Sequence, residues 1–264
     1  MSLGPQGGRS LLATMWRLAI ARQQLLLVAL GMVLLDGSAV AAAIGALEQA
    51  DTFASFARAI YDEPRTLADA LDRAVGGNLA CAAAVVLYVL VRPWPLAWIR
   101  ASYIRALATS GGFPRPAWRT VIRLVLLDIC IGAPLGFGIG MLEKADLPEI
   151  GPPVVLAVLV FTLYVDYAIV IDDIGLRQAF RSSLHVLLRR PGASLGVMSL
   201  WLTLSFVVSA SLGPSFDDGA TPLTLTALLV ASGALAFAID VCLITLYRAT
   251  PPPPEPGQDV ISAR

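Results

Sequence analysis

Apolar residues fall into six long runs, at about 24–47, 80–99, 121–142, 153–172, 193–213 and 222–247. Segments dense in charge, glycine or proline separate them. A bilayer core of ~30 Å needs about 20 mostly apolar residues per helix, and each run is of that order. The runs are too long and too unbroken for the ~10-residue alternating strands of a membrane barrel, which leaves helices. The pattern therefore predicts an all-α, polytopic membrane protein with six transmembrane helices over 24–247. An amphipathic cytoplasmic segment over 1–23 precedes them. A disordered, proline-rich cytoplasmic tail over 248–264 follows.

Composition agrees. The chain is 57% hydrophobic and 14% charged, whereas soluble domains run near a quarter charged. That excludes a soluble enzyme, a disordered chain and a nucleic-acid binder. Cys81, Cys130 and Cys242 lie in separate apolar runs, fit neither a disulfide framework nor a CxxC metal site, and read as small apolar residues. Leu25 to Leu35 followed by Ala39-Val40-Ala41 has the form of a signal-peptide core and cleavage site. The apolar run continues to Leu47, so an uncleaved first helix is expected.

Net charge is zero, but its distribution is uneven. With the N-terminus inside, 15 of the 19 basic residues fall on the cytoplasmic side; only Arg58, Arg65, Arg73 and Lys144 fall on the other. The positive-inside rule then puts both termini in the cytoplasm. All basic residues but Lys144 are arginine, as in a GC-rich bacterial genome, so the expected location is a bacterial inner membrane.

The loops carry two further patterns. Phe53, Phe56, Ala57 and Ile60 repeat at helical spacing, so one or two short helices are expected on the outer surface within Glu48–Asn78. On the cytoplasmic side, Asp173 reads as an N-cap for a helix running to Arg190 and stopping at Pro191. Leu176, Phe180, Leu184 and Leu187 share one face of that helix, and Arg177, Arg181, His185 and Arg189 form an i+4 stripe on another. Arg115, Arg119 and Arg123 repeat the stripe ahead of the third run. Both read as short amphipathic interfacial helices, with guanidiniums among anionic head groups.

A weak internal repeat links Leu87-Tyr88-Val89 to Leu163-Tyr164-Val165, 76 residues later, with Leu246-Tyr247 closing the sixth run. The odd runs carry small residues four apart: Gly37-Ala41-Gly45, Gly132-Gly136-Gly140 and Ser205-Ser209-Gly213. Such stripes let helices approach closely in lipid.

Charged groups inside apolar runs are costly and mark candidate sites. Asp36, Asp128, Asp166 and Asp240 qualify, with Arg92 as counter-ion to Asp128 or Asp166. Pro134 interrupts the third run beside Asp128 in the manner of a discontinuous transporter helix. The matching interruption expected in a paired repeat is missing. No HExxH, GxSxG, P-loop or GxGxxG occurs, and the lone His185 sits in the arginine stripe, read as solvated. No catalytic, cofactor or metal site is expected.

The stretch Tyr164-Val165-Asp166-Tyr167-Ala168-Ile169-Val170-Ile171-Asp172-Asp173-Ile174-Gly175, followed by Ala179-Phe180-Arg181-Ser182-Ser183, resembles one in uncharacterised bacterial six-helix membrane proteins. These are similar to the membrane domain ahead of some glycerophosphodiester phosphodiesterases. The resemblance covers about residues 160–192 and implies a membrane module. It carries no catalytic residues, and no phosphodiesterase domain follows the sixth run. The expected function is a non-enzymatic inner-membrane protein that organises or senses the membrane through anionic lipids. The alternative is a small secondary transporter or channel using the aspartates. A water-accessible cavity reaching Asp36, Asp128, Asp166 or Asp240 separates the two.

Overall fold

The computed structural model describes residues 5–46, 63–109, 112–217 and 221–251. Their regular structure is all helical. Helix α1 is Pro5–Ala21, α2 Leu25–Ala46 and α3 Glu63–Val75. Helix α4 runs over Leu79–Ala108. Helix α5 consists of Trp118–Leu127 and Ala133–Lys144, and α6 of Gly151–Thr162 and Val165–Ile171. Helices α7, α8 and α9 are Leu176–Arg189, Pro191–Asp217 and Pro222–Arg248. Four helices are long and apolar enough to cross a membrane, or five if the bent pair Leu12–Ala21 and Leu25–Asp36, turning through 80°, is one span. The Phe53–Ile60 repeat lies outside the described residues.

Local chemistry sets the boundaries. Gly77, at φ +92°, takes a left-handed conformation that closes α3. Asn78 then caps α4 by accepting from the Ala80 and Cys81 N–H groups at 3.0 and 3.1 Å. Thr221 and Thr224 form a reciprocal capping box at the start of α9, with Pro222 in the first turn.

Proline shapes two helices in the same way. Pro93 in α4 and Pro134 in α5 each follow a π turn, Leu87–Val91 and Asp128–Gly132. Proline lacks an N–H and crowds the carbonyl four residues back, so the upstream ladder slips to i→i−5. The Arg92 N–H reaches the Leu87 carbonyl, and the Ala133 N–H reaches that of Asp128. Helix α6 breaks at Leu163-Tyr164 without a proline. There the buried Ser183 of α7 accepts from the Tyr164 N–H at 3.2 Å and donates to the Phe161 carbonyl at 3.1 Å. The two Leu-Tyr-Val tripeptides thus both mark helix interruptions.

Two apolar clusters hold the bundle. The larger gathers Tyr103, Ile104, Leu124, Tyr164, Tyr167, Ile169 and Ile244 from α4, α5, α6 and α9. The smaller joins Leu67 and Ala70 of α3 to Cys81, Ala84, Tyr88 and Ala133. At the acidic end, Lys144 pairs with Asp69 at 3.0 Å and with Asp72, which ties α5 to α3. Hydrogen bonds to Asp72 and Asp69 hold the Lys144 ammonium above the usual lysine range. This tie is therefore complete below that range and is lost only as pH rises through the raised value.

At the basic end arginines satisfy terminal carbonyls: Arg22 donates to Thr109, Arg248 to Ala108 at 2.5 Å, and Arg190 to Ala249 at 2.6 Å. Several expectations change here. The second helix extends well past residue 99, which places Arg100 inside the fold. Helix α7 is capped by Gly175 rather than Asp173; Asp173 is left-handed, at φ 50°, and engaged by Arg123. The α7 face buried against the protein is Ala179, Ser182, Ser183, Val186 and Leu187, while Leu184 and Leu188 are exposed. Arg115 lies between Pro114 and Pro116 ahead of α5, so Arg115, Arg119 and Arg123 form no separate interfacial helix.

The small-residue stripes are also redistributed. Side chains of Gly37-Ala41-Gly45 and Ser205-Ser209-Gly213 lie outside the described set. Gly132 faces Asp128 of its own helix rather than a neighbour, Gly136 approaches the Tyr88 hydroxyl of α4 at 3.6 Å, and Gly140 is buried. The closest approach is elsewhere: a Cβ on Gly233 of α9 would lie 2.6 Å from Leu30 Cδ2 and 3.1 Å from Leu30 Cα of α2. Gly233→Val should therefore lower the melting temperature of the detergent-purified protein, at a cost of about 1–3 kcal/mol from overpacking. Gly31→Ala, with nothing near its Cβ, should leave it unchanged. Equal melting of both variants would remove the α2–α9 approach from the account.

Candidate functional site

Helix α4 carries two arginines into the apolar interior, eight residues apart, so about 12 Å along the helix. Arg92 is buried between α2 and α5. Its Nη1 meets Asp36 at 2.5 Å, its Nη2 meets Asp128 at 2.7 Å, and its guanidinium lies 4.1 Å from the centre of the Tyr88 ring. The π turns set this level, since Tyr88 lies in one, Arg92 follows it, and Asp128 opens the other. Gly132 completes it: a Cβ there would stand 2.5 Å from Asp128 Oδ1.

Arg100 forms the second level with α6 and α9. It holds Asp240 through two bonds, at 2.6 and 2.9 Å, and reaches Asp166 through Nε at 3.4 Å. Asp240 also accepts from the Tyr167 hydroxyl. The rings of Tyr103 and Tyr167 each lie 5.8 Å from the Arg100 guanidinium. The fully buried Tyr103 hydroxyl faces Asp240, and the Arg92 Nε has no hydrogen-bond partner among the described residues.

A cavity of about 500 Å³ lies between α4, α5, α6, α8 and α9. Its walls are mostly aliphatic, with Leu159, Met198, Trp201 and Ile239 among them. Its polar lining includes Arg100, Asp128, Asp166, Tyr167 and Asp240. A pocket of this size and polarity is of the kind that receives small molecules. Three of the four intramembrane aspartates therefore face one space. Asp36 does not line it and connects through Arg92.

No protein-family model, curated protein or solved structure matches this chain.

Arg92 is the counter-ion of Asp128, as expected, and of Asp36 as well. Asp166 belongs to Arg100, which the sequence reading assigned to a cytoplasmic loop. The π-turn interruption at Pro134 has counterparts in α4 and α6, contrary to the expectation that none matched it. Among the lipid-stripe candidates, Arg115, Arg119, Arg177, Arg181 and Arg189 are exposed, whereas Arg123 pairs with Asp173 at 2.9 Å. His185 is half-buried rather than solvated; its Nε2 is buried and unpartnered in a recess of about 270 Å³ with Asp172, Ser182 and Tyr247. No group of three or more metal-ligating side chains occurs among the described residues.

The missed residues are Arg100, Tyr103 and Tyr167. Arg100 sits at the end of an apolar run, where a loop arginine looks the same. The spacing Asp166-Tyr167 with Asp240 gives no signal before α6 and α9 are packed together. Breaking the first ion cluster should be costly. Arg92→Met leaves Asp36 and Asp128 without a counter-ion and should destabilise the protein by on the order of 3 kcal/mol. Adding Asp36→Leu and Asp128→Leu should recover much of that loss. Chemical denaturation in detergent reads both, and an unaffected single variant would sink the assignment.

Proposed function

We propose that this chain is a six-helix, N-in/C-in bacterial inner-membrane protein that binds and moves a solute through the central cavity as a small secondary transporter. The observation that carries this reading is the cavity itself: it brings Asp128, Asp166 and Asp240 to one space between helices. A dry, close-packed bundle would favour a purely structural module. Interrupted helices beside the charges support the same reading, because π turns and breaks offer alternative backbone arrangements where a site must open and close. No covalent chemistry is proposed, since the cluster contains no nucleophile paired with a base.

A second reading, a membrane-organising protein bound to anionic lipid, is favoured by one observation. Arg115, Arg119, Arg177, Arg181 and Arg189 are exposed at one end and have no ion pair with the described residues. On α7 they sit beside the exposed Leu184 and Leu188. Each such arginine would contribute about 1 kcal/mol to association with an anionic surface.

Two measurements separate these proposals. In proteoliposomes under an imposed pH gradient, wild type should carry proton- or cation-coupled flux, and Asp128→Asn should abolish it. Flux no greater than in empty liposomes would overturn the transporter reading. In that case, loss of anionic-lipid binding on replacing Arg177, Arg181 and Arg189 with Gln would support the second. Orientation is read by labelling intact cells. Glu63→Cys should react from outside and Arg115→Cys only after permeabilisation, and the reverse would invert the topology.

A further inference from the structure

We infer that the cavity is a site for an amphipathic organic cation, with Asp166 as its counter-ion, and that the cation exchanges there with a proton. This rests on the reading of the cavity as a solute site and names the class of solute.

Four carboxylates face two guanidiniums in the two clusters, an excess of two negative charges in an apolar interior. Carboxylates buried without a counter-charge are costly, so the surplus must be met by protons or by a bound cation.

Each cluster sets two carboxylates against one guanidinium, and the geometry locates the surplus of the Arg100 cluster. Asp36 and Asp128 each have a short contact to Arg92, at 2.5 and 2.7 Å. Asp240 takes both nitrogens of the Arg100 fork and the Tyr167 hydroxyl. Asp166 has one contact, at 3.4 Å, well beyond the ~2.7–2.9 Å of a charge-assisted bond. It is the least satisfied carboxylate, it is only partly covered, and it lines the cavity. The charged and titratable groups around it are Arg100, Asp240 and Asp128, with the phenols of Tyr103 and Tyr167 beside Arg100.

The walls select the rest of the ligand. An anion is disfavoured because the Arg100 fork is already committed to Asp240 and Asp166. A bare metal cation is disfavoured because hard cations need about six or more oxygen ligands, and this wall is largely aliphatic. A cation with an apolar body fits: Leu159, Met198 and Ile239 would cover the body, and Trp201 offers an aromatic face for the charge. On binding, the O–H bond of protonated Asp166 breaks and the proton leaves to water. The carboxylate left behind pairs with the cation, and no electrons are transferred.

The test uses the full-length protein in detergent and two ions of matched shape and opposite charge, tetraphenylphosphonium and tetraphenylborate. Wild type should bind the phosphonium and not the borate, and should release protons into lightly buffered solution as it does so. Phosphonium affinity should fall as pH is lowered. Asp166→Asn should weaken phosphonium binding by about tenfold or more and abolish proton release. Asp166→Glu should retain both, and Trp201→Leu should weaken binding while leaving proton release intact.

Equal binding of the two ions, binding without proton release, or unchanged affinity in a folded Asp166→Asn would each overturn the inference. Should Asp166→Asn fail to fold, the wild-type ion preference and proton release decide it alone. If neither ion binds while coupled flux persists in proteoliposomes, this inference falls and the transporter reading stands. If flux is absent too, both fall.

Discussion

Two guanidiniums, each shared between two aspartates, constrain this bundle more than any other contact. A lone carboxylate or guanidinium in an apolar span is costly, and removing one partner of a buried pair is costlier than never having built it. Arg92 therefore commits α2, α4 and α5 to one relative placement, and Arg100 does the same for α4, α6 and α9. Arginine suits this role because its planar fork offers several donors in a fixed plane, so one side chain answers two helices at once. Lysine, a point charge, lacks that fixed plane and would orient the two partners less strictly. The apolar clusters and the α2–α9 approach at Gly233 are arranged around that requirement.

The backbone yields to the same requirement. Near Arg92 and Asp128 the α-helical ladder gives way to π turns, and near Asp166 the helix α6 breaks outright. Each departure leaves backbone groups to satisfy. The π turns do so through i→i−5 bonds. The break does so through Ser183, which accepts and donates across the gap. This is why α7 turns its serines inward. A helix that reads as a lipid-facing amphipath is also the clamp that closes the interruption in α6, and its exposed apolar share reduces to Leu184 and Leu188, beside the exposed arginines.

Much of this was legible in the sequence, in proportion to how local each signal is. The six apolar runs fall on helices, and four of these, or five with the bent pair, are long and apolar enough to cross a membrane among the described residues, because length and hydropathy are properties of single segments. Asp36, Asp128, Asp166, Asp240 and Arg92 stood out because each is a charge inside an apolar run. Pro134 marked an interruption correctly, though it does not say that the ladder will slip rather than kink; Pro93, which follows the matching π turn in α4, was not read as one. What needed two segments at once was hidden. Arg100 lies where an apolar run ends, and only the packing of α6 and α9 against α4 shows that it points inward. Asp173 has the composition of a cap, but Arg123 and Thr120 claim its carboxylate. The glycines at 132 and 136 read as one stripe; in space one makes room for a carboxylate of its own helix and the other meets a tyrosine of the next.

The arginines at the basic end show how a statistical rule and a physical one coincide. Of the 15 basic residues on that side, Arg92 and Arg100 are ion-paired in the interior and say nothing about loop charge. Removing them from the 15 leaves 13 against four, so the imbalance survives. Arg22, Arg190 and Arg248 are also bound to carbonyls at helix ends, where the chain leaves the apolar layer with its last C=O groups unpaired. Such carbonyls attract guanidiniums whichever way a helix points in the membrane. An arginine that caps a helix end and one that enters the positive-inside count are therefore the same residue here. Among the described residues, Arg17, Arg115, Arg119, Arg177, Arg181 and Arg189 are the exposed remainder of that count.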